Sequence, residues 1–450
     1  MLTKSDSPVM THPRGTRRVS LMVAIVVAAV ALPLAVAVAR TPQVGSKFGP
    51  AIDAPASYEG ASKCMPSAKP GIIAFQKMVL AAYPGTGAGG IGRACSGSGT
   101  SEHHEGRAWD WGVNAGVASQ KAAADELIAW LLERDRYGND NAMARRFGIM
   151  YIIWNKRIWG TWGGWDTYCR MKKGLCKDPD DGGVLHPHTD HVHFSFSWAG
   201  AKKKTTGFNP SRSMVTGAAS HPEANGLWRL GANGAVLTHG VYNFGSASDR
   251  YFDKPMVAMA STTSGNGYWL LRRDGKVFGF GDARRFGRTE KSKARFVAIS
   301  AHPKGRGYWL VTSGGRVSTF GRAASYGNAT EETENATVIG FAPTTTGKGY
   351  WIALSSGRVM AFGDAPTLGG AAGEASDVVG FDSNPAATGY WLVTSGGRVF
   401  AFGKAGSEGG TVGEDINSEI VSIASTPSGA GYWLVGNTGR AFPFGDASRF

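Results

Sequence analysis

Two short segments of the chain combine histidine and aspartate at spacings that suit metal chemistry. They are S-E-H-H-E-G-R-A-W-D, residues 101–110, and D-H-V-H, residues 190–193. A catalytic zinc ion takes three protein ligands and keeps a fourth position for water. His103, Asp110 and His193 supply two imidazoles and one carboxylate, so we predict that these side chains bind Zn²⁺.

The same segments offer groups for acid–base chemistry. Zinc lowers the pKa of its bound water to about 7, and a base must still accept the proton. Asp190, which precedes His193, is the candidate base, and His191 is a second acid/base or a transition-state stabiliser. Alternation along a strand places His191 and His193 on one face. Arg93 is expected to hold a substrate carboxylate or the oxyanion.

Three further histidines lie close to these segments, namely His104, His186 and His188. We expect them at the surface or in support of the ligands rather than on the metal. Position 108 is alanine, so the second histidine of an H-E-x-x-H motif is missing. A thermolysin-type arrangement is therefore excluded.

The residues around these segments predict an α+β domain over 61–200. Apolar residues recur at helical spacing over 71–82 and 118–135. The β-branched and aromatic stretch 147–159 predicts a buried strand that runs into a loop. Four tryptophans in and after this stretch either pack in the core or line a substrate groove: Trp154, Trp159, Trp162 and Trp165.

From residue 214 to residue 450 the chain consists of six repeats. Each repeat carries one tryptophan: Trp228, Trp269, Trp309, Trp351, Trp391 and Trp433. A glycine follows each tryptophan after six residues, which predicts a two-residue hairpin turn. We predict an all-β repeat domain, a six-bladed β-propeller, because one small sheet cannot bury both faces and must stack on its neighbours. Two β-trefoils of three repeats each are the alternative. The tryptophans are interpreted as packing residues, with sugar binding as the alternative.

Residues 1–39 have the pattern of an export signal. Basic residues precede an apolar run from Leu21 to Ala39, whose end suits signal peptidase. Because the run is close in length to a membrane span, an uncleaved anchor is the alternative. We expect an exported protein, extracellular or associated with the cell wall, with linkers at 40–60 and 201–213.

The four cysteines fit two disulfides in an exported chain. Cys169 and Cys176 can close a short loop, which would leave Cys64 with Cys95, and the other pairings stay open. Zinc binding by cysteine is disfavoured, since the chain has no C-x-x-C pair.

The formal net charge of +14 favours polyanionic partners. Nucleic acid is excluded as a partner because the export signal removes the protein from it and no nucleic-acid-binding motif is present. Anionic wall polymers remain candidate ligands of the basic surface, and we expect membrane contact only through the N-terminal anchor.

The pattern S-x-H-x-x-G-x-A-x-D followed by D-x-x-H resembles the zinc peptidases that group D-alanyl-D-alanine carboxypeptidases with hedgehog-like domains. The runs Y-I-I-W-N-K-R-I-W and D-H-V-H-F-S-F are similar to an exported bacterial branch of that group. The resemblance implies zinc at His103, Asp110 and His193, a small α+β fold with an antiparallel sheet, and peptidoglycan stem peptides as substrate. The carboxypeptidases have glutamate at the position of Asp190. The repeats resemble G-Y-W-L-V and F-G-D-A tandem units attached to many exported bacterial enzymes.

These features predict a zinc-dependent hydrolase of cell-wall peptidoglycan peptides, a metallopeptidase of the carboxypeptidase or endopeptidase type. The alternative is a catalytically inactive, zinc-stabilised module that binds the cell wall or a protein and is presented with the propeller. Asp190 separates the two hypotheses, because its side chain is one methylene shorter than glutamate and small misplacements of a catalytic group cost large rate factors.

Overall fold

The computed structural model describes residues 41–42, 48–95, 101–168, 188–287, 289, 293–333 and 336–449. The predicted export segment lies outside these residues, as do Cys169, Cys176 and His186. Among the residues described, no helix combines the length and the apolar composition needed for a membrane crossing.

An antiparallel five-stranded sheet forms the centre of the N-terminal region. Its strands are β1 (Ala108–Gly112), β2 (Ile149–Trp154), β3 (Arg157–Gly160), β4 (Gly164–Thr167) and β5 (His191–Phe196). The strand order is β1-β5-β2-β3-β4, so β5 lies between β1 and β2 although it comes last in the chain.

Helices cover the apolar face of this sheet. They are α1 (Pro70–Ala82), α2 (Ala118–Leu132), α3 (Ala142–Phe147) and α4 (Trp198–Ala201). Both predicted helices are confirmed, and α1 begins at Pro70, where the missing amide hydrogen of proline costs nothing. Phe75 of α1 is fully buried and contacts the rings of Phe147, Phe194 and Phe196 at centroid distances of 5.2–5.5 Å. The assignment of this sheet and its helices to a zinc peptidase stays a prediction.

The prediction that the stretch 147–159 is one strand followed by a loop is wrong. The stretch holds the end of α3 and a hairpin of β2 and β3. Asn155 and Lys156 form its two-residue turn with φ angles of 45° and 67°. Positive φ at both positions matches the right-handed twist of the paired strands, and asparagine tolerates it well.

The repeat region folds into six three-stranded antiparallel sheets, which we call units 1 to 6 in chain order. The inner strands are β6 (Val215–Ser220), β9 (Met256–Ser261), β12 (Phe296–Ala301), β15 (Val338–Pro343), β18 (Val378–Ser383) and β21 (Ile420–Ser425). The middle strands are β7 (Leu227–Gly231), β10 (Gly267–Arg272), β13 (Gly307–Thr312), β16 (Gly349–Leu354), β19 (Gly389–Thr394) and β22 (Gly431–Gly436). The outer strands are β8 (Val236–His239), β11 (Val277–Gly281), β14 (Val317–Gly321), β17 (Val359–Gly363), β20 (Val399–Gly403) and β23 (Ala441–Gly445).

The six sheets form a closed ring. Each inner strand contacts the inner strands of the two neighbouring units, and β21 of unit 6 contacts β6 of unit 1. The Val215 amide donates a hydrogen bond of 2.8 Å to the Asn437 carbonyl, which joins the first unit to the last. This radial arrangement is that of a β-propeller, and it rules out two separate trefoils.

The repeated tryptophans pack inside this ring. All six are between 0% and 2% exposed, so they are not sugar-binding platforms. Each indole nitrogen donates to a backbone carbonyl about fifteen residues later in the chain, as Trp309 does to Ala324 at 2.8 Å. The interpretation as packing residues is confirmed.

The hairpins of the repeats differ from the predicted two-residue turns. In unit 2 the Gly275 amide donates to the Arg272 carbonyl at 2.8 Å, and the Arg272 amide donates to the Lys276 carbonyl at 2.8 Å. The loop therefore has three residues, and Gly275, with a φ of 86°, occupies the left-handed position that closes it. The sequence pattern placed the glycine correctly but not the loop length.

The two segments predicted as linkers are packed against folded parts of the chain. In the described part of 40–60, the Gly49 amide donates to Ser213 Oγ at 2.7 Å. The buried Arg146 side chain donates to the carbonyls of Gly49 and Ala51 at 3.0 and 3.2 Å. Within 201–213, Ser213 is fully buried. The N-terminal region and the propeller are therefore joined by an ordered junction.

Asp53 provides a test of this junction. It is 2% exposed and accepts hydrogen bonds from the Thr206 amide and hydroxyl. Burial raises the pKa of Asp53 from 3.8 to about 6, although Thr206 and the nearby arginines Arg146 and Arg212 lower it. The folded state holds the proton of the Asp53 carboxyl more tightly than the unfolded state does. Protonation of Asp53 therefore stabilises the folded state fully below pH about 4, and this contribution is lost as the pH rises through about 6.

We expect Asp53→Asn, which stays neutral, to gain stability relative to the natural protein by about 3 kcal/mol between pH 4 and pH 7. Urea unfolding followed by tryptophan fluorescence measures the difference. Asp140→Asn is the control, because the Asp140 side chain is 64% exposed and should show no such trend. An equal pH trend in both variants would contradict the assignment.

Candidate metal centre

Two of the three predicted ligands face each other across neighbouring strands. Asp110 on β1 is the direct partner of His193 on β5. Side chains alternate along both strands, so Trp109 and Phe194, the next pair along, are fully buried in the core. The expected alternation is present, and it brings the carboxylate and the imidazole together on the other face of the sheet.

His103 reaches the same place from a short turn. It lies in a 3-10 helix, Glu102–Glu105, in which Ser101 Oγ accepts from the His103 amide at 3.3 Å. Gly106 ends the helix with a φ of 63°, a conformation that residues with a side chain rarely adopt. A Cβ atom at Gly106 would lie 2.1 Å from the Ser67 carbonyl oxygen, so this reversal into β1 requires glycine.

The three donor atoms converge on one point. His103 Nε2 lies 3.1 Å from Asp110 Oδ1 and 3.3 Å from His193 Nδ1, and the last two atoms are 2.9 Å apart. Zinc ligands at about 2.0–2.1 Å in a tetrahedral arrangement would be about 3.3–3.4 Å from each other. The donor set therefore has the types and the spacing that a tetrahedral metal ion requires.

Both imidazoles are held by a second contact. His103 Nδ1 lies 2.8 Å from the Ile91 carbonyl oxygen. Because a carbonyl only accepts, this contact places a proton on Nδ1, so that Nε2 is the ring nitrogen available to bind a metal ion. His193 Nε2 lies 3.2 Å from Ser195 Oγ, two residues further along the same strand face. Such contacts orient the rings before any metal binds.

The electrostatics of Asp110 also favour a ligand role. Burial alone would raise its pKa, but the hydrogen bonds and charges of His103 and His193 hold the pKa well below its ordinary value. Asp110 is therefore a carboxylate at neutral pH, the form that coordinates a cation.

Of the two predicted acid–base residues, which contact each other, His191 is the one that faces the donor set. The Asp190 side chain is 70% exposed, and its Oδ1 atom lies 2.9 Å from His191 Nδ1. The other ring nitrogen, His191 Nε2, faces the donor set at 3.7 Å from Asp110 Oδ1. His191 thus lies between Asp190 and the three donor atoms.

Arg93 is tied to the first ligand through the backbone. Its amide donates to the His103 carbonyl at 3.2 Å. The disulfide Cys64–Cys95 is present two residues later, and the Met65 amide donates to the His104 carbonyl at 2.6 Å. The segment that carries Arg93 is therefore anchored beside the 3-10 turn.

Two of the three neighbouring histidines, His104 and His188, lie outside the donor set, as expected. His104 Nδ1 accepts from the Ser101 amide at 3.3 Å. His188 is 3% exposed, and its ring lies 4.6 Å from that of His191 and 6.0 Å from that of His193. His188 therefore packs behind the site.

An aromatic surface, formed by Tyr58, Tyr151 and Trp162, borders the centre. Tyr151 stacks on the His193 ring at 5.5 Å and 17°, and its hydroxyl donates to Glu102 Oε2 at 2.8 Å. Trp162 lies 6.0 Å from Tyr151 and 5.8 Å from Tyr58, ring to ring, and is 49% exposed. Of the four tryptophans considered above, Trp154 and Trp159 are buried core residues.

A buried ion pair supports the segment between the first two ligands. Arg107 and Glu105 are both fully buried, and Arg107 Nε lies 2.6 Å from Glu105 Oε2. Arg107 also donates to the Phe196 carbonyl at 2.8 Å, and Glu105 accepts from the Ser62 and Lys63 amides at 2.9 and 3.0 Å. These contacts fix the turn that carries His103 to the end of β5.

Sequence reasoning missed the residues that hold the ligands. Ser195 could have been found, because it continues the alternation of His191 and His193. Tyr151, Glu105 and Arg107 gave no comparable signal, since their partners lie far away in the sequence.

Comparisons with known proteins cover parts of the chain. Residues 64–174 match the family described as VldE, C-terminal domain. This stretch includes His103 and Asp110 and ends before His193. No curated protein matches the chain.

Two similar solved structures cover about half of the chain. One is a structural genomics protein of unknown function from Bacteroides thetaiotaomicron, with 13% identity, a TM-score of 0.37, and coverage of 52% of this chain and 69% of that chain. The other is the β-propeller domain of Cps50 (Swd1) from Myceliophteria thermophila, with 10% identity, a TM-score of 0.34, and coverage of 51% and 84%.

We expect Arg107→Met to destabilise the protein by about 3–5 kcal/mol, because it leaves the buried Glu105 carboxylate without its cation. Urea unfolding measures the loss. Arg134→Met is the control, since Arg134 and Asp140 form an exposed pair whose removal should cost less than about 1 kcal/mol. Equal effects of the two substitutions would contradict the supporting role of Arg107.

Proposed function

We propose that this protein is a zinc-dependent hydrolase of cell-wall peptidoglycan peptides, of the carboxypeptidase or endopeptidase type. The observation that carries the proposal is the meeting of His103 Nε2, Asp110 Oδ1 and His193 Nδ1 within 3.3 Å of one another. Zinc at these atoms would supply a bound water of low pKa and would polarise the scissile carbonyl.

His191 is the best-placed group for proton transfer. Its Nε2 atom is the ring nitrogen that faces the donor set, and Asp190 contacts the opposite nitrogen. An aspartate in this position holds the imidazole in one tautomer and stabilises its protonated form. We therefore assign the general base role to His191 and a positioning role to Asp190, which revises the assignment made from the sequence alone.

The aromatic surface next to His193 suits a peptide or sugar substrate. Tyr58 and Trp162 are 62% and 49% exposed, and large exposed rings supply contact area at a low entropic cost. Arg93 remains the candidate for a substrate carboxylate or the oxyanion. The choice of peptidoglycan rests on the resemblance of the two motifs, and the export segment would bring the protein to the cell wall.

We expect the full-length protein to bind about one zinc ion per chain and to release peptide fragments from peptidoglycan. His193→Ala should lose both properties because it removes one of three ligands. His104→Asn is the matched control. His104 is the neighbour of a ligand, and an asparagine at this position can still accept a hydrogen bond. Metal analysis and mass spectrometry of the digest measure the two properties. Full activity of the metal-free protein would contradict the proposal.

A separate experiment tests the acid–base assignment. His191→Gln should lower kcat at least a hundredfold while the zinc content is unchanged, because general acid–base catalysis contributes about 10²–10⁴-fold. Asp190→Asn should have a smaller effect and should shift the pH dependence of kcat. A larger loss for Asp190→Asn than for His191→Gln would restore Asp190 as the base.

The exposure of Asp190 favours one second candidate, a zinc-stabilised binding module without turnover. A carboxylate that is 70% exposed and directed at His191 is not itself in contact with the donor set. If the natural protein retains zinc and binds peptidoglycan but releases no fragment, and His193→Ala loses both zinc and binding, the second candidate is correct.

A further inference from the structure

A ring of backbone hydrogen bonds joins neighbouring units at one end of the propeller channel. The first amide of each inner strand donates to a carbonyl of the preceding unit, over 2.8–3.1 Å. The six accepting residues all lie four positions after the repeated tryptophan: Ala232, Arg273, Ser313, Ser355, Ser395 and Asn437. We call this set, together with the residue before each inner strand, the channel rim.

The rim carries an uneven distribution of charge. On the side of units 2 and 3 it has Arg273 and, directly before β12, Arg295. On the opposite side it has Asp377 and Glu419, directly before β18 and β21. Three of the six units have serine at the position equivalent to Arg273, so unit 2 differs from the common repeat at this position.

The carboxylates on the acidic side of the rim accept hydrogen bonds from neighbouring side chains. Asp377 Oδ2 accepts from Ser395 Oγ at 2.8 Å, and Glu419 Oε2 accepts from Asn437 Nδ2 at 3.4 Å. Neither acid lines the central cavity. These carboxylates therefore do not neutralise the arginines across the channel.

On the basic side, one donor atom of Arg273 has no partner among the residues that the structure describes. This atom is the buried Arg273 Nε. The acidic residue nearest to Arg273 in the sequence is Asp274, which forms an ion pair with Arg272: Arg272 Nη2 lies 2.5 Å from Asp274 Oδ2. Burial and the charge of Arg295 both lower the pKa of Arg273, so these two cations repel each other within one site. A buried donor without an acceptor is costly, and an anion between the two arginines would offset their mutual repulsion.

Both arginines line a cavity large enough for a ligand. The central cavity has a volume of about 630 Å³, and Ser313 and Thr337 follow Arg295 around its wall. Volumes of about 300–1,000 Å³ are typical of small-molecule sites. Among the described residues that line the wall, the only carboxylate is that of Asp382. It lies five residues after Asp377 of the rim, or about 16 Å at the rise of a strand.

We propose that the propeller channel is an anion-binding site, in which Arg273 and Arg295 bind a phosphate or carboxylate group at the rim. Ser313 and Thr337, which line the same cavity, add hydroxyl donors. The rim lies at the same end of the ring as the hairpin loops of units 1 and 6, and these loops contact the N-terminal region at Arg212 and Pro50. The ligand would therefore be held on the side of the propeller that faces the metal centre's domain. This site does not depend on hydrolysis by the metal centre.

Isothermal titration calorimetry on the full-length protein tests the proposal, with inorganic phosphate and succinate as probes at constant ionic strength. We expect one saturable site for at least one probe, and the tighter probe identifies a phosphate or a carboxylate as the natural group. Arg273→Ser, which installs the residue of three other units, should weaken that binding at least tenfold, in line with the loss of a charge-assisted hydrogen bond. Arg295→Thr should weaken it as well.

Arg322→Ser is the matched control, because Arg322 is exposed, belongs to unit 3 and follows β14 at the opposite end of the ring. Its binding should stay within twofold of that of the natural protein. An anion bound at the metal centre would be unaffected by Arg273→Ser, so this comparison separates the two sites. Equal affinity of the natural protein and Arg273→Ser for both probes, or no saturable binding of either probe, would overturn the proposal.

Discussion

The pairing register of β1 and β5 is the constraint on which the candidate metal centre depends. Asp110 lies opposite His193, and the adjacent pair, Trp109 and Phe194, is buried in the core. A slip of one residue would turn the donors toward the core and the aromatic rings toward solvent. The large apolar area of these rings therefore fixes the position of the donors. His103 then needs only a short capped turn to complete the set.

Much of this arrangement could be predicted from the sequence, because it depends on local patterns. The helical periodicity of 71–82, the strand alternation around His193 and the repeat of the tryptophans all follow from chain geometry. The length of the hairpin loops could not be predicted, since a glycine with positive φ suits both two-residue and three-residue turns. The relative positions of Asp190 and His191 also required the structure, because sequence spacing does not say which side chain faces the donors.

The supporting residues were hidden from the sequence for a different reason. Arg107, Glu105 and Tyr151 act through contacts that join distant parts of the chain, such as the 2.8 Å bond from Tyr151 to Glu102. The packed junction around Arg146 and Gly49 also depends on contacts between distant parts of the chain. A stretch of small residues and proline has the composition of a free linker, but here it supplies carbonyl acceptors to a buried arginine. Composition predicts how a segment behaves in isolation, whereas these segments are held by contacts with other parts of the chain.

The closure of the propeller has a mechanical consequence. The first unit meets the last by noncovalent contacts, such as the hydrogen bond from Val215 to Asn437. Within the described part of the chain, the sheets of these two units share no strand. This seam is the place where the ring would open under tension or thermal motion. The N-terminal region spans it, because its Ser213 leads directly into unit 1 while Pro50 packs on Gly439 of unit 6. The domain that carries the candidate metal centre thus holds the first and last units together, and the stability of the closed ring depends on this attachment.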